Sequence, residues 1–246
     1  MAREVEDLRT AWRAMSGPDW RDPWWVPAPL DGPPPAWPLR VAVTTNPGGL
    51  HGDPQVAAGV RAAADALANA GCAVEEVDPP RVPEACELWR RILFTEVRTL
   101  MMPLLKQFVS DDAVRSLELT ESFVPTLDRE GYAQALAERT ALLRDWLAFM
   151  ERFPIVLGPV SCSPPFKVGE DIIDAAHTRA IMDAQRLLVA LNLLCLPVVV
   201  VPVGVGAGLP QAVQIIGQPF REDLCLEVAE MVERARGRIT PIDPRG

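Results

Sequence analysis

Nucleophilic and basic side chains stand close together in one short segment, at Ser161, Cys162, Ser163 and Lys167. They follow the apolar run PIVLGPV, which predicts a buried strand, and α/β proteins bind ligands in loops at the carboxyl ends of such strands. A serine and lysine dyad needs a desolvated lysine, and a thiol nucleophile needs an adjacent positive group; the spacing alone shows neither. A flexible loop that contains Pro164 and Pro165 is poorly suited to fix a nucleophile in position. We therefore favour a pocket-lining role over self-sufficient catalysis, and a plain structural loop stays open.

Other catalytic chemistry has little support in the residues. The two histidines, His51 and His177, are far apart, and a zinc site needs at least three ligands, so we expect no metal and no cofactor. No G-x-S-x-G segment is present. The loop NPGGLHG could offer backbone N–H groups to a phosphate, but it matches no phosphate-binding pattern. A simple turn between a strand and a helix is the favoured interpretation of that loop.

Charge and cysteine content limit the classes of partner and the cellular setting that we expect for this chain. The chain has 24 Lys and Arg against 33 Asp and Glu, a net charge of −9, which argues against nucleic acid or an anionic membrane as the main partner. The uncharged stretch 187–220 contains Pro197 and Pro202, which predict buried strands and not a membrane span. Five scattered cysteines without C-x-x-C spacing are typical of a reducing, cytoplasmic setting.

The first third of the chain predicts a helix, a loop and a β-α-β unit. Apolar residues three and four apart predict a helix over residues 3–15. Residues 18–38 are rich in proline and hold four of the seven tryptophans, so they must form an extended linker. We expect Trp24 and Trp25 to pack down and anchor this linker; recognition of a partner is the alternative. Residues 39–78 then read as strand, helix and strand.

The remainder alternates between helices and strands. We predict helices over 83–110, 132–152, 172–194 and 223–236, a strand at 154–160, and two strands within the uncharged stretch. This alternation predicts an α/β fold, with one sheet covered on both faces by helices.

The second half of the chain resembles one known family. The segment LNLLCLPVVVVPVGVGAGLPQAVQIIGQPFRED is similar to the C-terminal region of amidase-signature enzymes, except that Cys195 replaces the usual glycine. The matching residues are Asn192, Pro197, Pro202, Gly208, Leu209, Pro210, Gln214, Gly217 and Asp223. The start, MAREVEDLR and GPDWRDP, resembles the stretch that follows the signature region in the same family. The segment GPVSCSPPF resembles the strand end beside the active site of these enzymes.

The resemblance carries expectations about fold and function. It implies part of an α/β/α sandwich with a mixed sheet, in which residues 1–246 form the C-terminal part: residues 1–38 the helix and linker, residues 39–246 the α/β body. It implies hydrolysis of the C–N bond of a small carboxamide by a full-length form. The implied substrate-binding residues are Pro159, Ser161 and Cys162.

The resemblance also implies which catalytic groups to look for. Family members use two serines and a lysine from a Gly/Ser-rich segment upstream of the region matched here, and no residue of this chain stands in that context. We therefore expect a truncated form that is inactive alone and lacks an N-terminal half or a second subunit. Such a chain would expose a strand edge and self-associate. The alternative hypothesis is a non-catalytic α/β binding or interaction protein derived from the family.

Overall fold

The computed structural model describes residues 1–50, 52–206 and 208–237. His51, one of the two histidines considered as metal ligands, lies outside the described residues. The helices are α1 (Val5–Met15), α2 (Pro54–Asn69), α3 (Val82–Glu96), α4 (Met102–Phe108), α5 (Asp111–Glu121), α6 (Arg129–Arg152), α7 (Ala175–Ala184), α8 (Arg186–Leu194) and α9 (Glu222–Arg236). The strands are β1 (Arg40–Val43), β2 (Ala73–Glu76), β3 (Ile155–Pro159), β4 (Val198–Gly206) and β5 (Leu209–Gly217).

Local signals explain where α2 begins and ends. The Asp53 side chain accepts hydrogen bonds from the N–H groups of Gln55 and Val56, and Pro54 occupies the first helical turn. These features satisfy donors that the helix itself leaves unpaired. Gly71 follows the helix with φ of 96°, a left-handed conformation that favours glycine. The chain can therefore turn directly into β2.

One mixed sheet organises the described strands, in the order β2-β1-β3-β5-β4. Strand β1 pairs in parallel with both β2 and β3, and α2 is the crossover between β1 and β2, as the sequence predicts. Strand β5 runs antiparallel to β3 and forms a hairpin with β4. The carboxyl ends of β1, β3 and β4 consequently lie at the same edge of the sheet.

Helices cover both faces of the sheet, which confirms the α/β class. One core joins α1, α2 and α9 to residues such as Val41, Ile155 and Ile215. The other joins α3, α6 and α8 to Val156 and Ile216. Alternate strand residues enter opposite cores because successive side chains of a strand point to opposite faces. Full burial of each large apolar side chain stabilises the fold by about 1.5–3 kcal/mol.

Three helical details differ from the sequence expectation. The expected helix over 172–194 is divided into α7 and α8 at Gln185, and the polar stretch after residue 110 contains α5. Between α3 and α4 the chain forms one π-helical turn, Val97–Met101. Periodicity cannot register a break of one residue between two helices that bury similar faces.

The Pro/Trp linker also differs in part. It contains neither helix nor strand, as predicted, but the Trp24 side chain is 88% exposed, so the expectation that it anchors the linker is wrong. Trp25 is partly covered, and its indole N–H donates to the Ser16 carbonyl. A second anchor comes from the backbone, where the Gly32 N–H donates to Asp223 at 2.9 Å.

The uncharged stretch forms all of α8 after Arg186 and the β4–β5 hairpin, and its prolines correctly indicated the strands. None of the helices within the described ranges is long and apolar enough to cross a bilayer.

Candidate functional site

Two loops and a hairpin meet at the carboxyl edge of the sheet. One loop leaves β1 and enters α2, and the other leaves β3 and runs to α7. The β4–β5 hairpin extends past the end of β3, because Pro159 pairs with Val213 and the residues beyond that pair have no partner from β3. The overhanging hairpin, the second loop and the first turns of α2 enclose a space.

That space is a cavity of about 350 Å³ with a largely apolar lining. This volume is at the lower end of the range for small-molecule sites, about 300–1,000 Å³. Apolar lining comes from Val56, Val160, Pro164, Pro165, Phe166, Val200, Val203 and Leu209, and side-chain polar groups come from Ser161, Ser163, Gln185 and Gln211. A mostly apolar pocket with a few polar groups is the usual form of a ligand site.

Ser161 is the one of the three expected binding residues that lines this cavity. It is partly exposed, and its Oγ accepts a hydrogen bond from the Ser163 N–H at 3.3 Å. This bond leaves the hydroxyl proton of Ser161 free to be donated to a ligand.

Cys162 lies behind the cavity wall and ties the loop to its neighbours. Its N–H donates to the Ala184 carbonyl at 2.7 Å, and its carbonyl accepts from the Asp53 N–H at 2.8 Å. The residue thereby connects the end of α7 with the start of α2. Its side chain is 1% exposed, so the backbone of Cys162 holds Ser161 in place while the thiol packs inside.

The chemistry of a thiol or lysine nucleophile is not favoured here. Burial raises the pKa of the Cys162 thiol, and the nearby Arg186 charge opposes that rise only in part. A reactive cysteine needs the opposite shift. Lys167 is exposed to solvent, whereas a lysine base must be desolvated.

Pro159 is buried at the end of β3 and does not line the cavity. Gln214, on β5, donates its side-chain amide to the Pro159 carbonyl at 2.9 Å, and Gln214 is itself buried. This bond joins β3 to β5 beside the Pro159–Val213 pair, the last one before the strands separate. Gln214 is one of the residues through which the sequence resembles amidase-signature enzymes.

Gln211 places an amide at the cavity between two glycines. A Cβ atom on Gly206 would lie 2.2 Å from its Nε2, and a Cβ on Gly59 would lie 2.9 Å from its Oε1. The two glycines therefore make the room that the amide occupies. Within the described residues this amide makes no hydrogen bond, so its donors and acceptor are available to a ligand. Sequence reasoning missed Gln211, because it occupies an unspecified position of the G-L-P-x-x-x-Q pattern.

A buried arginine holds the loop that follows β1. Arg186, at the start of α8, is 1% exposed. Its guanidinium donates to the Asn46 side chain and to the carbonyls of Pro47, Leu50 and Asp183. These acceptors show that the glycine-containing loop directs oxygen atoms inward, which supports a structural turn over a phosphate cradle. The sequence does contain a sign of this buried role, because Arg186 is a single charged residue at the start of the otherwise apolar helix RLLVALNLL.

Potential metal ligands are dispersed. Across the described ranges no group of three or more His, Cys, Asp or Glu side chains is placed to hold a metal ion. His177 contacts Asp174, which caps α7. The site is therefore built from hydroxyl, amide and apolar groups.

With this geometry established, comparison with known proteins defines the class. The family model described as Amidase matches residues 1–226. The chain belongs to the amidase family and is an amidase-signature protein.

Two curated relatives are indoleacetamide hydrolases. The one from Bradyrhizobium diazoefficiens is 37% identical over 238 residues, covering 96% of this chain and 45% of the relative. The one from Bradyrhizobium japonicum is also 37% identical, and the match covers 51% of its length. This chain therefore spans about half the length of the two indoleacetamide hydrolases.

Solved structures agree on the fold. The structure of 6-aminohexanoate cyclic dimer hydrolase superposes with a TM-score of 0.74 at 24% identity, covering 96% of this chain and 54% of that one. Allophanate hydrolase from Kluyveromyces lactis gives a TM-score of 0.70 at 18% identity, covering 96% of this chain and 39% of that one.

Proposed function

We propose that this chain is the substrate-binding half of an amidase that hydrolyses the C–N bond of a small carboxamide. The observation that carries the proposal is the cavity beside Ser161, which lies at the carboxyl edge of the sheet in a chain that belongs to the amidase family. The Ser161 hydroxyl and the Gln211 amide would orient the polar end of the substrate. Pro159 and Cys162 would act through the backbone that carries Ser161.

The lining of the cavity supports a substrate with a flat apolar group. Phe166, Pro164 and Pro165 form one wall, and Val56 and Leu209 add aliphatic surface. Such a surface stabilises an aromatic ring by removing it from water. Because the 37% identical relatives are indoleacetamide hydrolases, we propose an arylacetamide as the substrate class.

Catalysis would require groups from elsewhere. The resemblance implies two serines and a lysine upstream of the matched region, and this chain spans about half of its relatives. The buried Cys162 thiol and the exposed Lys167 offer no activated nucleophile in their place. The remaining half, either in the same polypeptide or in a second subunit, would supply the catalytic serines and lysine. A cytoplasmic location is part of the same proposal.

A hydrolysis assay tests this function directly. The 246-residue chain should release no ammonia from indoleacetamide. A fusion should release it when the unmatched remainder of the Bradyrhizobium diazoefficiens enzyme is joined ahead of Met1. Ser161→Ala and Gln211→Leu in the fusion should raise KM more than they lower kcat, because both residues are assigned to binding. Turnover by the isolated chain would contradict the proposal that the catalytic serines and lysine come from the other half.

A second candidate function is a non-catalytic binding protein. The observation that favours it is the combination of a formed cavity with the absence of an activated nucleophile among the described residues. Binding of indoleacetamide by the isolated chain, together with an inactive fusion, would favour this candidate.

A further inference from the structure

The short segment that joins α7 to α8 reaches the candidate site in two ways. We call residues 183–186 the α7–α8 junction. The carbonyl of Ala184 accepts the Cys162 N–H at 2.7 Å, and the side chain of Gln185 lines the cavity. The position of this junction therefore sets both the Gln185 side chain and the backbone that carries Ser161.

A buried arginine on α3 contacts this junction from outside the site. Arg90 is 3% exposed and does not line the cavity. One of its guanidinium nitrogens, Nη2, donates to the carboxylate of Asp183, the first residue of the junction. A hydrogen bond between charged groups is stronger than one between neutral groups, and burial strengthens it further. This bond therefore ties α3 to the end of α7.

The surroundings of Arg90 make Asp183 its main partner. The carboxylate of Glu87 lies 3.7 Å from Nη1, beyond hydrogen-bond distance, and its side chain is half exposed. The Nε of Arg90 is buried and has no hydrogen-bond partner among the described residues. A buried charge is costly unless it is paired, so Arg90 favours the position of the junction in which Asp183 stays within reach.

The other ion pair of Asp183 stays within α7. Its second carboxylate oxygen is 3.8 Å from the Nε of Arg179, one turn earlier on the same helix, and the Asp183 side chain is one-third exposed. An exposed pair within one helix contributes little to stability. Of the two ion pairs, the one with Arg90 is therefore the one that connects the junction to a different helix.

We infer that Arg90 is a positioning residue for substrate binding, which acts through Asp183 to hold Gln185 and Ser161 at the cavity. The inference rests on the proposed function, because it takes the cavity to be the substrate site. It assigns no contact with the substrate to Arg90. Loss of the Arg90 charge should displace the junction, so that the substrate binds less tightly while the catalytic groups of the other half are unaffected.

Kinetics of the fusion described above test the role of Arg90. Arg90→Met keeps a long side chain but removes the charge, and it should raise KM for indoleacetamide by about tenfold with kcat within about twofold of the wild type. Arg90→Lys should keep KM within about threefold, because an ammonium can still pair with Asp183 and the Nε makes no bond that would be lost. Equal KM values in the Met and Lys variants would overturn the inference.

Arg91→Met is the matched control on the same helix. Arg91 is partly exposed and forms no ion pair within the part of the chain that the structure describes. Its replacement should leave KM unchanged. A rise in KM as large as that of Arg90→Met would indicate a general effect on α3 and would overturn the inference.

A second variant tests the partner and does not bury an unpaired acceptor. Asp183→Asn removes the negative charge but keeps an oxygen that the guanidinium can bond, so it should fold even if Arg90→Met does not. It should raise KM by about fivefold. In the double variant KM should rise no further than in Arg90→Met alone, because both changes remove the same contact. Additive effects of the two changes would overturn the inference.

Hydrogen exchange of the isolated chain gives a readout that needs neither catalysis nor ligand. In Arg90→Met the Cys162 N–H should exchange about tenfold faster than in the wild type, because its bond to Ala184 would open more often. The Thr44 N–H, bonded to the Leu157 carbonyl in the sheet, should change less. Equal acceleration at Cys162 and Thr44 would show a purely structural role and would overturn the inference.

The outcomes also distinguish the positioning role from the function. A fusion that hydrolyses indoleacetamide with the same KM in the wild type and Arg90→Met would refute the role of Arg90 and retain the amidase proposal. An inactive fusion would refute the amidase proposal, and the exchange rate of the Cys162 N–H would then decide whether Arg90 positions the junction.

Discussion

The side-chain amide of Gln214 donates to the carbonyl of Pro159 at 2.9 Å, and both residues are buried. This single bond closes β3 against β5 at the point where the strands part and the cavity begins. A buried carbonyl that loses its partner costs about 1–3 kcal/mol. The geometry of the site thus depends on a residue that does not line it.

Gln214→Met should lower the free energy of unfolding by about 2 kcal/mol, because the carbonyl of Pro159 would be left unpaired in a buried position. Urea denaturation of the isolated chain measures this loss. Gln134→Met is the matched control, since Gln134 is exposed on α6 and its replacement should change stability by less than about 0.5 kcal/mol. Equal losses in the two variants would contradict the role given to Gln214.

Arg186→Met should destabilise the chain by about 3 kcal/mol, because it leaves several buried oxygens without a donor. Amide exchange of the loop after β1 should accelerate in the same variant. Arg186→Lys should recover only part of the loss, since an ammonium cannot reproduce the directions of a guanidinium. Arg234→Met on the exposed side of α9 is the control and should have little effect.

Cys195 should react with alkylating reagents well before the other four cysteines. Cys195 is the one exposed cysteine, while burial raises the pKa of Cys86 to about 11 and also raises the pKa of Cys72, Cys162 and Cys225. Because the thiolate is the reactive form, brief iodoacetamide treatment at about pH 8 should modify one cysteine per chain. Intact mass spectrometry counts the additions, and Cys195→Ser should abolish the first. Rapid modification of Cys162 would contradict the buried anchor described here.

Acid should weaken the attachment of the Pro/Trp linker to α9. Partial burial alone would raise the pKa of Asp223, but hydrogen bonds from Arg221 and the Gly32 N–H outweigh it and hold that pKa below its usual value. The carboxylate therefore stabilises the fold above about pH 4, and this contribution is lost as the pH falls through the folded-state value.

Urea midpoints between about pH 5 and pH 3 measure that loss. The wild-type chain should lose stability over this range more steeply than Asp223→Asn, which cannot titrate at this position. Asp31→Asn removes an exposed carboxylate of the linker and should follow the wild type. Parallel curves for the wild type and Asp223→Asn would show that this carboxylate does not anchor the linker.

Sequence reasoning succeeded where local signals decide the structure. Asp53 caps the start of α2, and Gly71 allows the turn after its end. The hydrogen bonds and the backbone conformation responsible involve residues only a few positions away. The prolines at 197 and 202 correctly indicated strands. These signals need no knowledge of distant contacts, so the order of strands and helices could be read directly.

The site itself depends on contacts between distant segments. Arg186 meets its acceptor Asn46 across 140 positions of sequence, and Gln211 fits beside Gly59 only because α2 packs on the hairpin. Ser161 was identified from its place after a strand, but the burial of Cys162 follows from the packing of α7 and α2 around it. The expectation that Trp24 is covered failed for a similar reason, because the composition of the linker does not show which aromatic rings pack against neighbouring residues.

The central claim is that the cavity beside Ser161 binds an arylacetamide, and titration with indoleacetamide followed by amide NMR of the isolated chain tests it most directly. We expect chemical shift changes that saturate and map to residues 160–166 and 208–212. Gln211→Leu should weaken binding by about tenfold, the effect of losing roughly 1.4 kcal/mol of hydrogen bonding. Saturable shifts that map elsewhere, or none at the solubility limit of the ligand, would contradict the claim.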